Sequence, residues 1–233
     1  TIGGGDGPEG DGSTLRVVTP EPNWSWGDTY AYLDLEVRVP ASLPLEVQDS
    51  SGDVAIEDVA ALTVRDSSGD LEIRDVAGRV RVADSPGDID VRNAGSVLVD
   101  DDSSGDIELS DIGGDARVER DSSGDIDLAD IQGNAMVEVD SSGDIEFRRI
   151  KGSASVDRDS SGGIRAEDVG GDFVVRLDGS GSIHHHGVAV VVGFEEVEDP
   201  ERIDLHPADG RAGRAPLEDP DASTALGLPA HAL

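Results

Sequence analysis

Beyond residue 53, apolar and polar residues alternate in short bursts, and the bursts return at a nearly fixed interval. In DSSGDIDLADIQGNAMVEV, which begins at Asp121, Ile126 and Leu128 flank Asp127, and Ala135 and Val137 flank Met136. Alternation with a period of two predicts strands with one buried face. The intervening D-I-x-G and D-S-S-G segments are turn chemistry. The opening aspartates stand at 49, 66, 84, 102, 121, 140, 159 and 178, so the unit is 17 to 19 residues long. Two short strands and two turns in that length predict one coil of a β-solenoid. Each coil then lies about 4.8 Å above the last, and each strand pairs in parallel with its own copy. The expected fold is all-β, a single-stranded parallel β-helix with right-handed coiling.

Aligning the copies gives five apolar columns. The first strand contributes Val54, Leu71, Ile89, Ile107, Ile126, Ile145, Ile164 and Ile183, and then Ile56, Ile73, Val91, Leu109, Leu128, Phe147, Ala166 and His185. The turn contributes Val59, Val76, Ala94, Ile112, Ile131, Ile150, Val169 and Val188. The second strand contributes Leu62, Val80, Val97, Ala116, Ala135, Ala154 and Phe173, followed by valines from Val64 to Val175. Small Ala166 follows Phe147 in one column, while Phe173 follows a run of alanines in another. This exchange keeps the volume of a shared interior nearly constant.

Outside the repeat the text changes. Residues 1–13 read as a flexible Gly-rich leader, able to tether the chain to an anchor or another domain. Residues 14–48 read as N-terminal capping strands, with strands near 14–18 and 29–39 and with Trp24 and Trp26 over the open edge. Residues 49–194 form the repeats. The Asp-, Pro- and Ala-rich segment 195–233 reads as a loosely ordered tail that folds partly over the aggregation-prone 188–192 edge. The chain starts at Thr1 rather than Met, which is compatible with a processed export precursor.

Composition narrows the function classes. The 233 residues include 51 acids against 18 bases, for a formal charge of −33. Such a surface repels nucleic acid and anionic membranes and attracts cations; it also fits a high-salt habitat. Cysteine is absent, so disulfides and thiolate sites are excluded. No run approaches 18 apolar residues, so this segment is not expected to insert in a bilayer as a helix.

The acids have two readings. As shape, Asp and Ser bond nearby backbone N–H groups while Gly supplies a positive φ at the corner. As cation ligands, Asp102, Asp121 and Asp140 stack in one row, and Asp106, Asp125 and Asp144 in a second. Asp58, Asp75, Asp111, Asp130 and Asp168 make a broken third. Like charges at this spacing repel by roughly 0.9 kcal/mol per pair even in water, which Ca2+ or diffuse cations would relieve. Neither the calcium β-roll nonapeptide nor an EF-hand loop is present. His184 and His186 share one face of a strand and are candidate zinc or nickel ligands, whereas His185 falls in an inward column. Arg148, Arg149 and Lys151 break the acidic repeat with a basic patch, a candidate spot for an acidic partner or a simple relief of charge. No catalytic motif is found, and no catalytic residue is assigned.

The unit SSGDIELSDIGGDARVE, the lead-in LDLEVRVPASLPLEVQDSSGDV and the closing GDFVVRLDGSGSIHHHGV resemble the DUF4097 family, adhesin-like β-strand repeat proteins of bacteria and archaea. The resemblance covers about residues 29–188. It implies a parallel β-helix, usually exported or membrane-tethered, with no assigned catalytic residues and no required cofactor. The expected function is that of a non-enzymatic, extracytoplasmic surface scaffold or adhesion module. Its partner would be a surface glycan, a protein or a second copy of itself. A calcium- or salt-responsive cation-binding solenoid is the alternative, and a polysaccharide-degrading enzyme the third reading.

Overall fold

The computed structural model describes residues 35–188, together with the backbone of the strands at Ile2–Gly4, Leu15–Val17, Val190–Val197 and Ile203–Leu205. Two compact units are distinguished, Thr1–Val39 and Pro40–Leu233. In the first, β1 (Ile2–Gly4) pairs antiparallel with β2 (Leu15–Val17). The strand expected over 29–39 is not formed where it can be described: residues 35–39 have no strand pairing, and Leu35 and Val37 are about half exposed. Alternation alone does not make a strand when no neighbouring strand supplies the hydrogen bonds. The other readings made for 1–13 and 18–34, including Trp24 and Trp26, lie outside the described residues, apart from the β1 backbone.

The second unit is a β-solenoid, and no helix occurs among the described residues. One sheet stacks β4 (Val54–Val59), the first halves of β6 (Leu71–Ala83) and β7 (Ile89–Asp101), β8 (Ile107–Ile112), β10 (Ile126–Ile131), β12 (Ile145–Ile150), β14 (Ile164–Val169), β16 (Ile183–His186) and β18 (Ile203–Leu205). The other stacks β3 (Pro44–Gln48), β5 (Ala61–Arg65), the second halves of β6 and β7, β9 (Ala116–Val118), β11 (Ala135–Asp140), β13 (Ala154–Asp159), β15 (Asp172–Asp178) and β17 (Val190–Val197). Every pairing among the described strands of this unit is parallel, as a coil that advances one rung per turn requires.

Register places each apolar column on itself. Ile107, Ile126, Ile145 and Ile164 are successive partners, as are Ala116, Ala135, Ala154 and Phe173. These columns are buried, most of their members at 0–2% exposure. Phe147 and Phe173 come from opposite sheets in adjacent coils and meet edge to face, with ring centroids 6.3 Å apart. The alanines beside them, Ala166 and Ala154, make that room. Each fully buried Val, Leu or Ile contributes roughly 1.5–3 kcal/mol, so a narrow core suffices. The ladder extends beyond 49–194 at both ends. Pro44–Gln48 pairs with Ala61–Arg65, and Ile203–Leu205 pairs with Ile183–His186. The remainder of the 195–233 tail lies outside the described residues.

Candidate functional site

The corners of the coil, where the acids gather, are the natural place for a site. Gly52, Gly69, Gly87, Gly105, Gly124, Gly143, Gly162 and Gly181 all have φ between 112° and 158°. Here the conformation is strained for any residue with a side chain. A Cβ on Gly124 would also fall within the radius of the Gly105 carbonyl oxygen of the coil below. Close stacking of the corners sets up two kinds of side-chain ladder.

The exposed second aspartate of each corner reaches to the next coil. Asp88 Oδ1 accepts the Asp106 N–H at 2.9 Å, Asp106 Oδ1 the Asp125 N–H at 2.9 Å, and Asp125 Oδ1 the Asp144 N–H at 2.9 Å. Asp53, Asp70 and Asp144 do the same for Asp70, Asp88 and Gly163. The second serine hydroxyl runs beside it: Ser142 Oγ donates to the Ser122 carbonyl at 3.2 Å, and Ser161 Oγ to that of Ser141 at 3.1 Å.

The first aspartate does something different. Sequence reading put acid outside and aliphatic residues inside, yet Asp66, Asp84, Asp102, Asp121, Asp140, Asp159 and Asp178 are buried, with Asp102, Asp121 and Asp140 at 0% exposure. The corner dictates this. Oδ1 of Asp121, Asp140 and Asp159 accepts the N–H of the serine two residues on, at 3.2, 3.1 and 3.0 Å, so the carboxyl is held within the turn. The signal was present in Val64-Arg65-Asp66, where period two already assigns Asp66 the inward side of Val64. Burial pushes Asp102 and Asp140 up to about 7, with their column neighbours adding like charge. It pushes Asp121 and Asp159 up to about 6 against the lowering effect of the serine N–H groups.

The broken third row is a conformational requirement. Asp58, Asp75, Asp111, Asp130 and Asp168, with Asn93 and Arg149 in the same position, all have φ of 55–58°. Asp and Asn tolerate that left-handed conformation better than most residues. A fourth ladder was not read from sequence. Asp115 Oδ1 accepts the Asn134 N–H at 2.8 Å, Asn134 Oδ1 the Ser153 N–H at 2.9 Å, and Ser153 Oγ the Asp172 N–H at 3.1 Å. Its trace is a small acceptor one residue after the D-I-x-G turn in four successive coils.

The basic patch sits directly on the coil below, its two arginines on acids and its lysine on an amide. Arg149 makes a two-nitrogen contact with Asp130 at 2.8 and 2.6 Å and holds its carboxyl below the usual range. Arg148 pairs with Asp127, and Lys151 donates to Gln132 Oε1. Burial outweighs Arg148 at Asp127 and raises that carboxyl. His184 and His186 are exposed on one strand, above Arg165 and Glu167 of the preceding coil, while His185 is buried with its ring 6.2 Å from that of Phe173. Among the described residues, no group of three or more His, Cys, Asp or Glu side chains is placed to hold a metal ion.

The family model for Toastrack DUF4097 matches residues 30–186, the span that contains all eight serine-glycine corners. No curated protein and no solved structure matches the chain.

Proposed function

Because the chain belongs to the Toastrack DUF4097 family of repeat proteins, we propose that it works as a non-enzymatic scaffold outside the cytoplasm, displaying a periodic surface for adhesion. The observation that carries this reading is that each repeated polar row has a structural task, and one of them joins coil to coil. One row accepts backbone N–H groups, one occupies the left-handed turn, and one is buried within the corner. Repeating a coil in this way favours a stiff stack over a reaction centre. Its outer faces then present charge at a fixed repeat. On the first sheet, Glu72, Asp90, Glu108, Asp127 and Glu146 run in register, beside Arg74 and Arg92. Ion pairs Arg92–Asp90 at 3.0 Å and Arg92–Glu108 at 2.8 Å lie across these columns. A ruled surface of this kind suits a partner that itself repeats, such as a surface glycan or a second copy of this chain.

Binding of the full chain to a panel of immobilised surface polysaccharides and to itself tests the proposal, together with protease access in intact producing cells. Saturable binding to a polymer or to itself, and cleavage by protease added outside, are expected. Release of reducing ends from the polymer, or a chain protected until the cells are broken, would overturn it.

A further inference from the structure

The scaffold reading leaves one feature unused: a line of carboxyl groups sealed inside an otherwise aliphatic stack. Asp102, Asp121 and Asp140 are in-register partners, and the line continues through Asp159 to Asp178. Below Asp102 stand Asp84 and Asp66, at 5% and 6% exposure. Oδ2 of Asp66, Asp121, Asp140 and Asp159 finds no hydrogen-bond donor, and both oxygens of Asp84 and Asp102 fall outside hydrogen-bond geometry. A buried acceptor without a donor is costly, and a buried ionised one far more so.

The charges facing the column make ionisation harder. Asp84 faces Asp66 and Asp70; Asp102 faces Asp84 and Asp121; Asp121 faces Asp101 and Asp106. Asp140 faces Asp121 and Asp159, and Asp159 faces Asp144 and Asp178. Every one of these is a carboxylate. A calcium ion would need six to eight oxygen ligands, and the column offers no such cage among the described residues. A proton needs only two oxygens. A protonated carboxyl gains an O–H to donate, and the next orphan oxygens along the line belong to the carboxyls of the adjoining coils.

We propose that the buried aspartate column is a proton-sharing ladder that tightens the solenoid as the pH falls and loosens it as the pH rises. Protons held between neighbouring coils supply the donors that the orphan oxygens lack, and they remove the repulsion along the line. The groups titrate as a coupled set rather than singly. The raised acids bind protons in the folded state that the unfolded chain has released. The stability they contribute is therefore complete below the unfolded range near pH 4 and is lost as the pH rises through about 6 to 7.

Thermal melts of the full chain between about pH 8 and about pH 5 are one arm of the test. The midpoint is expected to rise on acidification. The double variant Asp121→Asn and Asp140→Asn should flatten that rise, because Asn supplies a donor at every pH, whereas Asp125→Asn, in the exposed row, removes charge but should leave the slope unchanged. If both variants flatten it alike, general charge repulsion is the cause and the ladder is overturned. The second arm is a side-chain carboxyl carbon-13 NMR titration of the unaltered chain, which does not depend on any variant folding. Asp102, Asp121 and Asp140 should titrate well above the ordinary aspartate range near about pH 4; titration within that range would overturn the proposal. So would a midpoint at about pH 8 restored by calcium chloride with matching shifts at the buried carboxyls, since a metal would then be the partner.

Discussion

Asp106 and Asp102 are four residues apart in one corner and have opposite tasks. Asp106 is exposed and gives one oxygen to the Asp125 N–H of the next coil, while Asp102 is fully buried. The difference comes from the glycine between them. With φ of 130° at Gly105, the chain reverses sharply enough to turn one carboxyl in and the other out. The glycine is also where coils approach most closely, so Gly124→Ala would meet both an unfavourable φ and the Gly105 carbonyl. The expected cost is roughly 1–3 kcal/mol from the backbone alone, with the clash added. Urea unfolding of the variant against the parent measures it, and an unchanged midpoint would refute the strain argument.

At the level of the strand, parallel pairing turns a single residue choice into a column. Phe147 fits because Ala166 follows it in its own ladder and Ala154 stands opposite, and the Phe173 ring then closes the gap edge to face. Phe147→Ala should cost about 3–5 kcal/mol, since neighbouring coils are fixed by their own hydrogen bonds and cannot collapse into the cavity. Differential scanning calorimetry checks this, and a loss below about 1 kcal/mol would mean that the stack repacks freely. On the outer face the same logic gives ion pairs between coils, such as Arg149 with Asp130. Exposed pairs of this kind add little stability, because water and salt screen them. Their larger effect is to lower repulsion within an acidic row. The columns, the parallel register and the Phe-for-Ala exchange were all legible in the sequence, because spacing alone fixes which residues share a rung. The absence of a strand at 35–39 was not legible, because Leu35 and Val37 alternate as well as any paired residues do.

For the whole molecule, the net charge of −33 works against a stack that places like acids one above another. Salt should therefore stabilise it. The thermal midpoint at neutral pH should rise steadily from about 0.01 M to about 1 M sodium chloride as the screening length shortens. EDTA should leave it unchanged if diffuse counter-ions suffice. A fall with EDTA, recovered by calcium, would instead favour the cation-responsive reading of the exposed Asp106, Asp125 and Asp144 row. Because each coil touches only its neighbours, these effects should spread along the stack rather than act at one spot.

The sequence by itself determined the solenoid. A repeat of 17 to 19 residues with two alternating bursts has one economical packing, rung upon rung, and the columns follow by counting. Only the tertiary structure decided the fate of the acids. Whether a carboxyl faces water depends on the direction in which a corner turns, and that is set by glycine φ angles and by contacts with the coil below. Five letters that read as uniformly polar thus become a buried Asp102, bonded serines, a positive-φ Gly105 and an exposed Asp106, because stacking gives each a different neighbour.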